Sequence, residues 1–194
     1  MSEVHIALLH HPVLNKEGRI VSTAVTNLDI HDNARSACTF GVKSYHIVTP
    51  LDAQVELVSR ILSHWCKGFG ARRVPNRVDA MNLVRVSRSL DDAIGEIMGT
   101  REGMPFIIST CARRRKKIET CAEIRKMLAS RSGPFLLLFG TGYGLSEEVF
   151  ERSDAVLEPI GNPDGWNHLS VRGAVAITLD RLLGGLGAVG GKEE

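Results

Sequence analysis

The stretch PFLLLFGTGYGLSEEVFERSDAVLEPIGNPDGWNHLSVRGAVAITLDRLL, Pro134 to Leu183, decides the fold. Two short apolar runs, Phe135 to Phe139 and Ala155 to Ile160, each stop at a glycine-bearing loop, and a long amphipathic segment follows the second. Strand, loop, strand, loop, helix is an order that builds a pocket from backbone at the carboxyl ends of parallel strands. Without a Cβ, main chain can come close to a ligand, so Gly140, Gly142, Gly144 and Gly161 point to a cofactor held by backbone. Ordinary turn glycines are the alternative.

Outward from this stretch the same alternation repeats. Val4 to Leu9, Tyr45 to Val48, Met81 to Val86 and Phe106 to Ser109 read as strands, being short, apolar and rich in β-branched residues. Asp32 is placed to cap a helix running through Phe40 and stopped by Gly41. Asp52 is placed to cap a second, with Val55, Val58, Ile61, Leu62 and Trp65 at helical steps and Gly68 and Gly70 at its end. Ser89 with Asp92 forms a capping box before a helix that buries Leu90, Ala93, Ile94, Ile97 and Met98. His10 to Asp29 lacks a helical period and reads as a loop or short hairpin, and Phe69 to Val78, with Arg72, Arg73 and Arg77, reads as a linker. Ser170 is placed to cap the last helix, which buries Val171, Ala174, Val175 and Leu182, and a glycine-rich, frayed tail runs from Gly184 to Glu194. Strands alternating with helices roughly every 25 to 30 residues predict a mostly parallel, Rossmann-like α/β sheet with helices on both faces. One domain over 1–194 is expected.

The 194 residues carry a net charge of only +2, so overall electrostatics does not demand a polyanionic partner. A local patch still can serve one. Arg113, Arg114, Arg115, Lys116 and Lys117 stand in a row, either a solvated face or a grip on phosphates. Four scattered cysteines without a CxxC pair argue against a zinc site or a disulfide framework and for reduced, mostly buried thiols. No segment approaches the roughly 20 apolar residues of a membrane span, and no signal-like amino terminus is present, which leads to a cytoplasmic expectation.

Three motifs are more specific than periodicity. FGTGYGLS at Phe139 to Ser146 and NHLSVRGAVAITLDRLL at Asn167 to Leu183 resemble the second and third motifs of the SPOUT class of RNA methyltransferases. TNLDIHDNARSACTFGV at Thr26 to Val42 resembles their first, in which an arginine sits in the early helix before a Phe-Gly turn. The nearest likeness is to a small SPOUT group found alone or fused to tRNA guanine methyltransferases. This resemblance implies a carboxyl-terminal trefoil knot (about residues 134–185), bound S-adenosylmethionine, an RNA partner (tRNA or rRNA) and a homodimer whose second copy helps complete the site. It places the cofactor on Phe139, Gly140, Thr141, Gly142 and Gly144, on Pro159, Ile160 and Gly161, and on Asn167, His168, Leu169 and Ser170, with Ser109, Thr110 and Cys111 lining the adenosine side. Backbone groups of Phe139, Ile160 and Leu169 suit an adenine edge. Methyl transfer needs alignment and proton removal, and no metal.

Arg35 matches the family arginine that acts at a ribose 2′-hydroxyl, although a guanidinium is a poor base and serves better to bind phosphate or orient the hydroxyl. Asp29 stands where ribose-modifying relatives usually carry asparagine, and the second motif lacks their common glutamate; a carboxylate there could instead accept a proton from a base nitrogen. His168 can relay a proton near neutral pH. Asp164, in the turn-prone Asn162–Pro163–Asp164, is a secondary base candidate. His10 and His11 read as structural. The ribose 2′-hydroxyl is favoured slightly over a base nitrogen. A non-catalytic module that binds cofactor or RNA is the reading from another class, and a nicotinamide-binding domain is disfavoured because no GxGxxG follows the first strand.

Overall fold

A computed structural model of the chain describes residues 2–99, 103–115, 118–161 and 165–185. Its central sheet holds β1 (Val4–Leu9), β4 (Ser44–Val48), β5 (Val84–Ser87), β6 (Phe106–Ser109), β7 (Phe135–Gly140) and β8 (Ala155–Val156), in the order β5-β4-β1-β7-β6-β8. Every pairing in it is parallel. A small antiparallel hairpin, β2 (Val13–Leu14) and β3 (Ile20–Val21), follows β1.

The apolar runs at β1 and β7 are unbroken because both faces are covered. Ile6 and Leu8 with Phe135, Leu137 and Phe139 pack under α1 (Asn27–Thr39), α2 (Asp52–Cys66), α4 (Pro75–Met81), α6 (Cys121–Ser130) and α8 (Val171–Leu183). Ala7 and Leu9 with Leu136 and Leu138 pack under α5 (Leu90–Ile97) and α7 (Glu147–Glu151). Each such fully buried large side chain contributes about 1.5–3 kcal/mol. The chain runs from β1 outward through β4 to β5, then returns on the other side of β1 to β6 and β7. The sheet therefore has its topological switch beside β1, where Leu9 lies opposite Gly140.

Several boundaries differ from the sequence expectation. Helix α1 begins at Asn27, and its cap is Thr26, whose Oγ1 accepts the Asp29 N–H at 3.2 Å. Asp32 lies in the second turn and caps nothing. Asp52 is the first helical residue of α2 rather than its cap, and its carboxylate pairs with Arg88 at 2.6 Å. The expected linker folds as two short helices, α3 (Phe69–Arg73) and α4, with Pro75 at the first turn of α4, where its missing N–H costs nothing. Met81 ends α4 instead of opening a strand. Met98 is exposed, and β8 has only two residues. Cys38 is exposed and the other three cysteines are half-buried free thiols, not mostly buried. The tail beyond Gly185 lies outside the described residues.

Beneath α5 a closed polar chain crosses the sheet. His5 Nδ1 meets Ser44 Oγ at 2.7 Å, Ser44 Oγ meets His46 Nε2 at 2.8 Å, and His46 Nδ1 meets Ser87 Oγ at 3.1 Å. Burial pushes both imidazoles down to about 4. The contact of His46 with Glu96 at 3.7 Å is accordingly not an ion pair near neutral pH.

Candidate functional site

A cavity of about 1150 Å³ opens at the carboxyl ends of β6, β7 and β8. Its floor is the segment Phe139 to Leu145, which follows β7. The hairpin clamps this segment: Leu14 N–H donates to the Gly144 carbonyl, Tyr143 N–H donates to the Leu14 carbonyl, both at 2.9 Å, and Val13 bridges Leu145. Gly142 has φ +59°, and a Cβ added to it would lie 2.9 Å from the Leu14 carbonyl oxygen. A Cβ on Gly140 would lie 2.8 Å from the Leu145 nitrogen. The close approach these two glycines permit is thus to the protein's own backbone, which folds the loop tightly enough to leave space above it.

The second wall comes from the hairpin exit and α1, through Thr23, Ala24, Thr26 and Asp29. Thr23 Oγ1 and Thr141 Oγ1 are 2.5 Å apart, His10 Nδ1 lies 3.0 Å from Thr23 Oγ1, and Thr141 Oγ1 donates to the Leu9 carbonyl at 3.1 Å. Burial pushes His10 down to about 4, so it stands neutral. Asp29 is 8% exposed. Thr26 Oγ1 donates to its Oδ2 at 2.6 Å, and Arg172, from the first turn of α8, lies 3.9 Å from its Oδ1 and 3.6 Å from Asp32.

The third wall is the approach to α8. Asn167, His168, Leu169 and Ser170 all line the cavity, as do the half-buried Val171 and Ala174. Those last two were expected to be buried; Val175 and Leu182 are buried as expected, together with Thr178 and Leu179. Asn167 Nδ2 donates to the Ala112 carbonyl at 2.7 Å, tying this wall to the segment after β6. Ser170 caps α8 as expected, accepting the Gly173 N–H at 3.2 Å. Trp166, 86% exposed, stands edge-on to His168 with ring centroids 4.9 Å apart.

Of the cofactor positions expected from sequence, Thr110, Cys111, Phe139, Gly140, Thr141, Gly142, Gly144, Ile160, Asn167, His168, Leu169 and Ser170 line the cavity. Ser109 does not, being fully buried with its hydroxyl 2.5 Å from that of Ser153. Pro159 and Gly161 also lie outside the lining, leaving Ile160 alone from that turn. Arg113, Arg114 and Arg115 reach the rim. Arg115 is not free for phosphate: it makes a two-pronged bond to Glu147 at 2.8 and 2.9 Å over the Phe150 ring, which raises its own pKa and lowers that of Glu147. Lys116 and Lys117, and the turn Asn162, Pro163 and Asp164, lie outside the described residues.

Arg35 is absent from the cavity. Six residues after Asp29 on one helix, it is displaced by about 9 Å along the axis and turned by roughly 120°, so it is exposed on another side of α1. Sequence reading missed Thr23, Thr26, Glu158 and Thr178 as lining residues. Thr26 was findable, since Thr26-x-x-Asp29 has capping-box spacing; nothing local marked the others.

Residues 3–184 match the family described as SAM-dependent RNA methyltransferase. The chain belongs to that family. It is 46% identical over 182 residues to a tRNA (guanine-N(1)-)-methyltransferase of Oleidesulfovibrio alaskensis, covering 93% of this chain and 42% of that protein. It is 39% identical over 179 residues to an uncharacterized protein of Aquifex aeolicus, covering 92% and 87%. The chain therefore spans less than half the length of its Oleidesulfovibrio relative. In fold it is similar to a probable methylase family protein from Haemophilus influenzae (TM-score 0.62, 20% identical, covering 100% of this chain and 72% of that one). TrmJ from Z. mobilis is a second such likeness (TM-score 0.59, 14% identical, covering 100% and 73%). The SPOUT resemblance drawn from the three motifs is thereby borne out, as is the mostly parallel α/β fold.

S-adenosylmethionine is the family's cofactor, and the cavity fits it. Thr178 Oγ1 is buried, lines the space and has no partner, which is what a polar ligand atom would satisfy. Phe139, Leu157, Ile160 and Leu169 supply apolar cover beside backbone donors and acceptors. The volume exceeds the roughly 300–1,000 Å³ of single small-ligand pockets, leaving room for an acceptor nucleotide as well. Among the described residues no group of three or more His, Cys, Asp or Glu could hold a metal ion, and no helix is long and apolar enough to cross a membrane.

Proposed function

We propose that this chain methylates a ring nitrogen of an RNA base, with Asp29 accepting the displaced proton. Bound in the cavity, S-adenosylmethionine supplies an electrophilic methyl group. The residues around it bind, align and deprotonate. Phe139, Ile160 and Leu169 would hold the adenosine, with Asn167 and Ser170 fixing the segment that carries Leu169. Asp29 carries the reading: it lines the cavity at the start of α8, and its contacts with Thr26 and Arg172 orient it. Arg35, on which ribose chemistry would rest, lies outside the same cavity. A guanine-type N–H must lose its proton as the nitrogen attacks the methyl carbon, and a positioned carboxylate is the kind of group that takes it. The name of the Oleidesulfovibrio relative, a tRNA guanine-N(1) methyltransferase, agrees with this acceptor and with tRNA as the substrate class.

A ribose 2′-hydroxyl is the second reading. It is favoured by one observation: Arg35 is exposed and without an ion pair among the described residues, and so is available to the cavity of a second copy. We propose a homodimer in either case. Leu28, Trp166 and Leu169, exposed apolar side chains on the first turn of α1 and the approach to α8, support it. The knot implied by the SPOUT resemblance remains part of the proposal, and the packing of α8 against α1, α6 and β7 supports it.

RNA methylated with labelled cofactor and then digested with alkali separates the acceptors, because a methylated ribose blocks cleavage of its own phosphodiester. Label confined to mononucleotides is expected; label in alkali-stable dinucleotides would replace the base reading with the ribose one.

A further inference from the structure

On the far side of α1 from the cavity, the surface built by α2, α3 and α4 is basic and aromatic, and the chemistry above leaves it unused. From Lys67 to Val78 the chain carries Lys67, Arg72, Arg73 and Arg77 and no acidic residue. Lys67, Arg72 and Arg73 are exposed, and beside them Phe69 presents 66% of its surface to solvent. Arg35 joins this surface. With His31 it shares a face of α1 at i,i+4 spacing, and His31 packs edge-on against Trp65 of α2 at 5.3 Å. Arg77 of α4 covers the same Trp65 ring at 4.6 Å, and the charges of Arg77, Asp32 and Arg35 all act on His31, the two arginines against the carboxylate. Cations therefore run from α3 across α4 onto α1.

Two features distinguish this surface from an ordinary solvated face. First, its arginines have no carboxylate partners. Among the described residues none of Arg35, Lys67, Arg72, Arg73 and Arg77 pairs with Asp or Glu; Arg85, Arg125 and Arg131 elsewhere also lack an ion pair, but these five cations are grouped on elements that touch one another. Second, the surface is held in shape. A Cβ on Gly70 would come within 2.7 Å of the Trp65 ring, and one on Gly68 within 2.7 Å of the His64 carbonyl oxygen, so α3 is seated directly on α2. Arg73 lies over Phe69 at 5.2 Å and Arg77 over Trp65, which limits the rotamer freedom of both guanidinium groups. Unpaired, pre-positioned cations around an exposed aromatic ring match a polyanion that carries flat bases: phosphates neutralise the arginines and an unpaired base stacks on the phenyl ring.

We infer that Arg35, Lys67, Arg72, Arg73 and Arg77 with Phe69 form a second RNA-contacting surface, separate from the cavity rim, that grips the substrate RNA away from the methylated nucleotide. The inference rests on the RNA methyltransferase reading and adds a location to it. It also gives Arg35 a role within a single chain.

The test uses the full chain with unfractionated tRNA and, separately, poly(U), measuring dissociation constants over a series of salt concentrations, with calorimetric titration of S-adenosylmethionine on each variant. The double variant Arg72→Glu, Arg73→Glu should weaken binding of both RNAs at least tenfold and lower the slope of log affinity against log salt by roughly 1.4–1.8, two phosphate contacts' worth. Its cofactor affinity should stay within twofold of wild type. Phe69→Ala should weaken poly(U) binding by roughly 5- to 100-fold with the slope unchanged, since stacking releases no counterions. The control Arg88→Glu, Arg152→Glu changes net charge equally at other places and should bind RNA nearly as wild type does. Unchanged RNA affinity and slope in the Arg72, Arg73 variant would overturn the inference and turn this surface over to a protein partner. Equal loss in the control would reduce it to a net-charge effect and overturn it as well. Failure of wild type to bind cofactor would strike the methyltransferase reading instead, which keeps the two claims distinguishable.

Discussion

Two buried polar clusters sit on this sheet in opposite states. Under α5, His5, Ser44, His46 and Ser87 hand hydrogen bonds from one to the next across β1, β4 and β5. At the cavity, Thr178 Oγ1 is equally buried yet has no partner and Asp29 lines the same space, while His10 Nε2, behind Thr23, is likewise buried and unpaired. A closed network rigidifies the protein; an open one, beside a cavity, awaits a ligand. Residue type alone does not separate the two, since both clusters are built from histidines, hydroxyls and burial.

The sharpest way to break this contrast is at Asp29. Asp29→Asn keeps size and hydrogen-bonding capacity but removes the proton acceptor, so methyl transfer should fall by about 10²–10⁴-fold while cofactor affinity changes little. A fall below tenfold in a labelled-methyl assay would return Asp29 to a structural role. Next comes pH. His5, His46 and His10 fold neutral with pKa about 4 against an ordinary 6.5. Between those values the unfolded chain holds the protons, so stability is full above pH 6.5 and declines as pH falls towards 4. The loss by pH 5 is on the order of 2 kcal/mol for each fully independent group. Thermal denaturation at pH 7 and pH 5 should show a clearly lower Tm at pH 5; equal values would mean these imidazoles are not buried neutral.

Breaking the closed cluster should affect stability alone. Ser44→Ala removes the hydroxyl that joins two buried imidazoles and should cost about 1–3 kcal/mol in urea denaturation, with methyl transfer unchanged at a temperature where the variant is folded. The open cluster should behave in reverse. Thr178→Val removes an unsatisfied hydroxyl at constant shape, so stability should hold or rise slightly while cofactor affinity drops by roughly tenfold, one hydrogen bond's worth. If Thr178→Val destabilises the chain and leaves cofactor binding intact, the cavity hydroxyl has no ligand role.

The fold was legible wherever burial imposed a pattern. Val4–Leu9 and Phe106–Ser109 could be bounded to the residue, and Ser89 with Asp92 announced its helix, because each rests on local composition. The glycine loop was legible for the same reason, and the approach to α8 through the SPOUT resemblance. The hairpin wall was not. Thr23 reaches the cavity beside a hairpin in which Leu14 pairs with Tyr143 and Gly144, a contact between segments more than a hundred residues apart. Arg35 lies off its own chain's cavity for a geometric reason: a motif fixes its position along α1, whereas the packing of α1 between α8 and α4 decides which way it points. The arginines of the expected linker are grouped by the seating of α3 on Trp65, a tertiary contact that no local pattern encodes.

The central claim is that the open cluster is a cofactor site, and calorimetric titration of the purified chain with S-adenosylmethionine tests it most directly. Saturable heat with one site per chain, weakened in Thr178→Val and retained in Ser44→Ala, is the predicted result. No heat up to millimolar cofactor, from protein shown to be folded, would contradict it.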